Sequence, residues 1–242
     1  TRNVIVAIPE TLVYDAQGKV TAGGSVLGGG THNGATPGGF VVASIDMRIL
    51  DPALFYDHRD LSDTFNIWVN WFDMTNDGRD TLSKFASVCF GGIAHEMGHA
   101  FGLNHCFIDE PDVMGNGFRH YRGRMAPSEN QGDGTLATQM HPINRRALDR
   151  ASIYFNSFCQ TDFQPPTVTV SFPTNNATVP NPMVVEFTAQ DLGGGGLACA
   201  IIDYDGIRAG VDLSGNQQTV RLTFDAPLKT NFGLGIMVWD AQ

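Results

Sequence analysis

The sequence predicts an α+β domain followed by an all-β sandwich, on three observations. Residues 1–160 combine apolar runs of strand length with one long stretch of helical periodicity. Pro165 and Pro166 then mark a linker. Residues 164–242 carry short β-rich runs at even intervals, separated by glycine and asparagine turns. At 242 residues the chain is long enough for one large domain or two modest ones.

In the first region, "VIVAIP" (Val4–Pro9) reads as a buried strand and "DAQG" (Asp15–Gly18) as a turn between strands. The glycine-rich stretch Ala22–Gly39 is either a long loop or a pair of irregular strands. It lacks the strand–GxGxxG–helix context of a nucleotide site. "FVVASID" (Phe40–Asp46) is a further strand. "TFNIWVNWF" (Thr64–Phe72) alternates Phe65, Ile67, Val69 and Trp71 against polar or aromatic neighbours, a two-residue period. "DMTNDGRDTL" (Asp73–Leu82) sets Asp73, Asp77, Gly78 and Asp80 at calcium-like spacing. The twelfth position is Lys84, not the glutamate an EF-hand requires, so a solvated turn is the simpler reading and Ca2+ stays open through other ligands.

Ser83 to Leu103 is the strongest helix. Thr81 or Ser83 caps it, and Phe85, Val88, Cys89, Gly92, Met97 and Ala100 supply much of its apolar face. Gly91 and Gly92 weaken its propensity, so close packing against the sheet is expected there. A second helix begins near Pro142 and runs to about Phe155. The second region opens with alternating Val168, Val170 and Phe172, and "MVVEFTAQD", "ACAIIDYDG", "QTVRLTFDA" and "GLGIMVWDA" follow. This pattern resembles the bacterial immunoglobulin-like modules appended to secreted enzymes, which implies a glycan or cell-surface ligand for residues 164–242.

Composition removes several function classes. A net charge of −10 repels phosphate backbones, so nucleic acid is not an expected partner. No apolar run reaches the length of a membrane span. Cys89, Cys106, Cys159 and Cys199 allow three fully paired connectivities and suit either oxidising export or buried thiols. The chain begins at Thr1, which predicts a processed, secreted or cell-surface form, of bacterial origin by the module resemblance.

The chemistry concentrates in "HEMGHAFGLNH", His95 to His105. Residues four apart share a helix face, with Cβ atoms roughly 5–6 Å apart. His95 and His99 therefore reach one cation together. Glu96 is turned by about 100° from His95, where its carboxylate meets a metal-bound water without displacing a ligand. Gly102 permits the left-handed turn that ends a helix and brings His105 back as a third ligand. Three histidines leave the fourth tetrahedral position of Zn2+ to water, the arrangement of a catalytic site.

His95, Glu96, His99, Gly102 and His105 match every fixed position of the metzincin zinc-peptidase motif. The resemblance implies a mixed twisted sheet, an active-site helix and a C-terminal helix, the last being the one after Pro142. It also implies a methionine turn beneath the metal, for which "DVMG" (Asp112–Gly115) offers Met114. The short gap from His105 looks most like the matrix-metalloprotease branch. The residue after the third histidine is Cys106, where metzincin families commonly hold Ser, Asp, Glu or Pro, so no particular family is identified. Cys106 is expected in a disulfide, with a thiolate acting on the metal as the alternative.

The implied reaction is hydrolysis of peptide bonds in protein or glycoprotein substrates, with Glu96 as general base. Tyr121 and His120 are candidate transition-state donors. Substrate would pair with a sheet edge, with Asn66–Phe72 as the candidate strand. Three rivals stand beside this reading. A gluzincin would use Glu129 as third ligand; an adhesin would carry an inactive zinc domain; a structural zinc would sit closed to water. His32, His58 and His141 have no ligand partner in the sequence and read as ordinary histidines.

Overall fold

The computed structural model describes residues 4–7, 13–14, 16–17, 20–22, 26–31, 38–43, 50–60, 81–108, 111–127, 137–150, 164–174, 181–225 and 233–241. The expected strand at Thr64–Phe72, the calcium candidates Asp73, Asp77, Gly78 and Asp80, and His32, Glu129, Cys159 and Ala151–Phe155 lie outside these described residues. The chain divides into two compact units. One comprises Thr1–Asn104 and Asp109–Met140, the other His105–Ile108 and His141–Gln242.

In the first unit, β1 (Val4–Ala7) lies parallel to β5 (Gly38–Ala43), and β5 pairs antiparallel with β4 (Val26–Thr31). The sheet is thus mixed, in the order β1-β5-β4. A small antiparallel pair, β2 (Val13–Tyr14) and β3 (Val20–Ala22), flanks the turn at Ala16–Gln17. Of the two readings of the glycine-rich stretch, its described residues favour strands, for β4 lies within it and β5 begins at its end. A glycine strand has no side chains to hold a neighbour away. Helix α1 (Leu82–Ala100) packs on β4 and β5, and a Cβ at Gly39 would fall on the backbone of Ala100.

The start of α1 is fixed by Thr81, whose Oγ1 accepts from the Lys84 amide at 3.3 Å. The next amides also find acceptors: Leu82 N donates to the Arg59 carbonyl at 3.1 Å and Ser83 N to the Asp57 carbonyl at 2.9 Å. Asp57 itself is held below the usual carboxylate range, chiefly by its side-chain hydrogen bond from Arg59. Ser83 is not the cap. It lies inside the helix, and its Oγ accepts from Arg122 Nη1 at 2.7 Å.

One face of α1 forms a core with Phe55, from the 3-10 turn Pro52–Tyr56, and with Ala126. Leu82, Phe85, Ala86 and Cys89 line it. Each large apolar side chain so buried contributes about 1.5–3 kcal/mol. The Cys89 thiol is pushed up to about 12, from 9.0, by burial alone. Well below pH 9 the thiol is almost entirely neutral in both folded and unfolded chains. As pH rises from there toward 12, the unfolded thiol ionises first, and this contribution to stability is lost. At pH 8, iodoacetamide is expected to leave Cys89 unmodified in the native protein and to label it in denaturant, as peptide mass spectrometry would read.

Close packing compensates only one glycine of the pair. A Cβ at Gly91 would strike the carbonyl oxygen of Phe118, in the 3-10 turn Asn116–His120, while one at Gly92 would meet nothing within 4 Å among the described residues. The neighbour at Gly91 is therefore that turn rather than the expected sheet. A short helix, α2 (Tyr121–Met125), continues from the turn.

The second unit holds α3 (Pro142–Arg150) and two three-stranded antiparallel sheets. One sheet orders β10 (Gln217–Phe224), β7 (Met183–Gln190) and β6 (Thr167–Phe172). The other orders β11 (Gly235–Asp240), β8 (Leu197–Asp203) and β9 (Ile207–Asp212). Met183, Val185, Phe187 and Ala189 alternate inward from β7 and share a core with Ala200 and Ile202 of β8. The helix expected to close the first domain groups here instead. Its Ile143 fills the space where a Cβ of Gly210 on β9 would stand. No helix among the described residues is long and apolar enough to cross a membrane.

Candidate metal centre

The end of α1 sets the geometry of the histidines. Ala100 is the last helical residue and Phe101 its C-cap, and Gly102 adopts φ +90°, open to glycine and strained for other residues. Gly102 N donates to the His99 carbonyl at 2.8 Å and Leu103 N to the Gly98 carbonyl at 2.9 Å. This is the paired bonding of a Schellman stop. It turns the chain as the motif predicts, and the ligand nitrogens of His95, His99 and His105 lie within 4.8 Å of one another. His95 is buried, His99 half-buried and His105 exposed.

Both helical imidazoles are oriented by main-chain oxygens. His95 Nδ1 donates to the Val113 carbonyl at 2.7 Å, and His99 Nδ1 to the Leu103 carbonyl at 2.8 Å. A carbonyl only accepts, so the proton of each neutral ring sits on Nδ1 and the lone pair on Nε2. The two Nε2 atoms are 3.1 Å apart. Two lone pairs at that distance repel unless a cation or a proton lies between them. Nitrogens in tetrahedral contact with one zinc ion, at about 2.0–2.1 Å each, stand about 3.3 Å apart. The donor set, and the spacing of its helical pair, suit a divalent cation such as zinc, which His95, His99 and His105 would hold.

The Val113 carbonyl is presented by the turn Asp112–Gly115. Asp112 is fully buried, and its Oδ1 accepts from Met114 N at 2.6 Å. Its carbonyl accepts from Gly115 N and Gly117 N, each at 2.9 Å. Val113 N donates to Gln139 O at 2.7 Å. Met114 is fully buried, and a Cβ at Gly98 would collide with its sulfur. Gly98 thus leaves room for Met114 directly against α1. Phe118 stands beside His95, ring centroids 5.4 Å apart.

The other candidates are placed differently. Glu96 is half-buried on α1, next to His95. The Tyr121 ring stacks on Phe90 (6.5 Å, 4°) and neighbours Phe55 at 6.5 Å, in the apolar core on α1. His120 ends the 3-10 turn, and its carbonyl accepts from Thr138 N at 3.3 Å. Cys106 is fully buried, and no disulfide joins Cys89, Cys106 and Cys199 to one another. The sequence reading missed Asp112, Val113 and Phe118. An Asx-turn signal, Asp followed two residues on by the amide it caps, points to Asp112 within "DVMG".

Replacing Gly102 by alanine tests the stop. A side chain at φ +90° is strained by about 1–2 kcal/mol. Gly102→Ala is expected to lower stability by about that much and to weaken zinc binding, measured by denaturant melts and chelator competition. Unchanged zinc affinity would show that His105 does not depend on this turn.

No family model matches the chain, and no curated protein is similar to it in sequence. Among solved structures it is similar to wild-type OgpA from Akkermansia muciniphila, with 14% identity and a TM-score of 0.43, over 98% of this chain and 65% of that one. It is also similar to catalytically inactive OgpA from the same organism, in complex with an O-glycopeptide (glycodrosocin) substrate. There the identity is 17% and the TM-score 0.28, over 66% of this chain and 42% of that one. The chain spans less than two thirds of the length of either.

Proposed function

We propose that the protein is a zinc-dependent endopeptidase of the metzincin type, acting on protein or glycoprotein substrates outside the cell. The observation that carries this reading is the facing pair of Nε2 atoms, 3.1 Å apart, with both Nδ1 protons committed to carbonyl oxygens. His105 completes the ligand set, which favours three histidines over a gluzincin set using Glu129. Its exposure favours a site open to water over a closed structural one.

Zinc, when bound, supplies Lewis acidity toward a water molecule and the scissile carbonyl. The chain supplies the rest. His95, His99 and His105 hold the ion, and the Val113 and Leu103 carbonyls keep two of the rings in the tautomer that can bind it. The Glu96 carboxylate takes a proton from the attacking water and returns it to the departing amine. Met114 is the methionine of the turn below the site, and Asp112 keeps that turn shut. The two-sheet unit is read as an immunoglobulin-like module for a glycan or surface ligand. The test is digestion of a peptide library and a glycoprotein panel, with and without a zinc chelator, with cleavage sites read by mass spectrometry. Chelator-sensitive cleavage, restored by added zinc, is the expected result. Inertness of the zinc-loaded protein toward both panels would favour the adhesin reading.

A further inference from the structure

The third ligand is followed by a segment that behaves as an added strand. Cys106 bridges Ile207 in parallel register. Ile207 N donates to the His105 carbonyl at 2.6 Å, and Phe107 N donates to the Ile207 carbonyl at 2.9 Å. The backbone on both sides of Cys106 is thus bonded to one residue about a hundred positions later in the chain. Ile207 and Cys106 are both buried, so water does not compete for these bonds.

The hairpin carrying Ile207 is shaped for this contact. Asp205 and Gly206 adopt φ +55° and +99°, and Asp203 Oδ1 accepts from Gly206 N at 3.0 Å. A Cβ at Gly206 would come within 2.6 Å of the Phe107 ring and 3.1 Å of the His105 carbonyl oxygen. Only glycine combines that backbone angle with that approach. Arg208 braces the same turn: its Nε donates to Tyr204 O and its Nη2 to Asp205 O, each at 3.0 Å. Its guanidinium lies over the Phe107 ring, 4.3 Å from the centroid.

We infer that Gly206, Ile207 and Arg208 are positioning residues for the third metal ligand, acting through the backbone of His105. The Gly102 stop ends the helix, and the β8–β9 hairpin sets where the chain goes next. This rests on the proposed metal site and assigns part of its affinity to residues that touch no ligand atom of the metal.

The test compares two glycines at positive φ, one packed against the His105 segment and one not. Gly206 has φ +99° against Phe107 and the His105 carbonyl, whereas Gly215 has φ +68° with nothing within 4 Å. In the full-length chain, Gly206→Ala is expected to weaken zinc binding 10–100-fold in chelator competition, the range for lost outer-shell support. It should also alter the visible spectrum of the cobalt-substituted protein. Gly215→Ala, which adds strain without a clash, should lower the melting temperature less and leave both metal readouts unchanged. If Gly206→Ala fails to fold, Arg208→Ala decides, with a smaller loss of affinity and the same spectral change expected. Equal zinc affinity for wild type, Gly215→Ala and whichever hairpin variant folds overturns the inference and leaves the metal site standing. A wild-type chain that binds no zinc fails at the earlier step, and the peptidase reading falls with it.

Discussion

Glu96→Gln is expected to keep zinc at full stoichiometry and to lower hydrolysis by about 10²–10⁴-fold, the usual contribution of a positioned general base. The amide has almost the same shape as the carboxylate, and Glu96 is not among the three grouped ligands, so metal content should not move. The loss should appear in kcat and in kcat/KM alike, because the proton transfer belongs to the transition state. His99→Ala is the contrasting variant. It removes one of the two facing Nε2 atoms and should lose metal and activity together. If Glu96→Gln retains wild-type turnover with full zinc, another base acts and the assignment of Glu96 fails. Metal content by elemental analysis and initial rates on a cleaved peptide separate these outcomes.

The second large effect is expected at Gly91. An added methyl group there meets the backbone carbonyl of Phe118, which no rotamer change can relieve. Gly91→Ala should therefore destabilise by about 3 kcal/mol, the upper range for overpacking. A drop in Tm of about 6–12 °C follows for a chain of this size. The displaced turn carries Phe118 away from the His95 ring, so zinc affinity should fall as well. Gly92→Ala is the control. Its methyl group meets no neighbour among the described residues, and alanine favours helix, so stability should hold or rise. Equal melting temperatures for the two variants would refute the close approach of turn and helix.

The three-histidine cluster was legible because its determinants are local. Two histidines one turn apart, a glycine able to take positive φ and a third histidine three residues later describe a geometry within eleven residues. The orienting carbonyl of Val113 was not legible, since any residue type can supply a carbonyl and this one lies 18 residues away. Tyr121 shows the opposite failure. Its position in the chain suggested the site, but α1 presents Phe90 on another face, and the Tyr121 ring stacks there. Strands of the mixed sheet were legible at Val4–Ala7 and at residues 40–43 from their apolar runs. Strand β4 was ambiguous, because three consecutive glycines carry no periodicity and owe their pairing to β5. The bonding of Ile207 to the chain around Cys106 was beyond sequence reasoning, as no local pattern reports a backbone bridge across a hundred residues.

The graded exposure of the three histidines gives the site a direction. The deepest ring is walled by Phe118 and tied to Val113, whereas His105 faces solvent. A chelator is thus expected to reach the cluster from the side of His105, the most exposed of the three rings among the described residues.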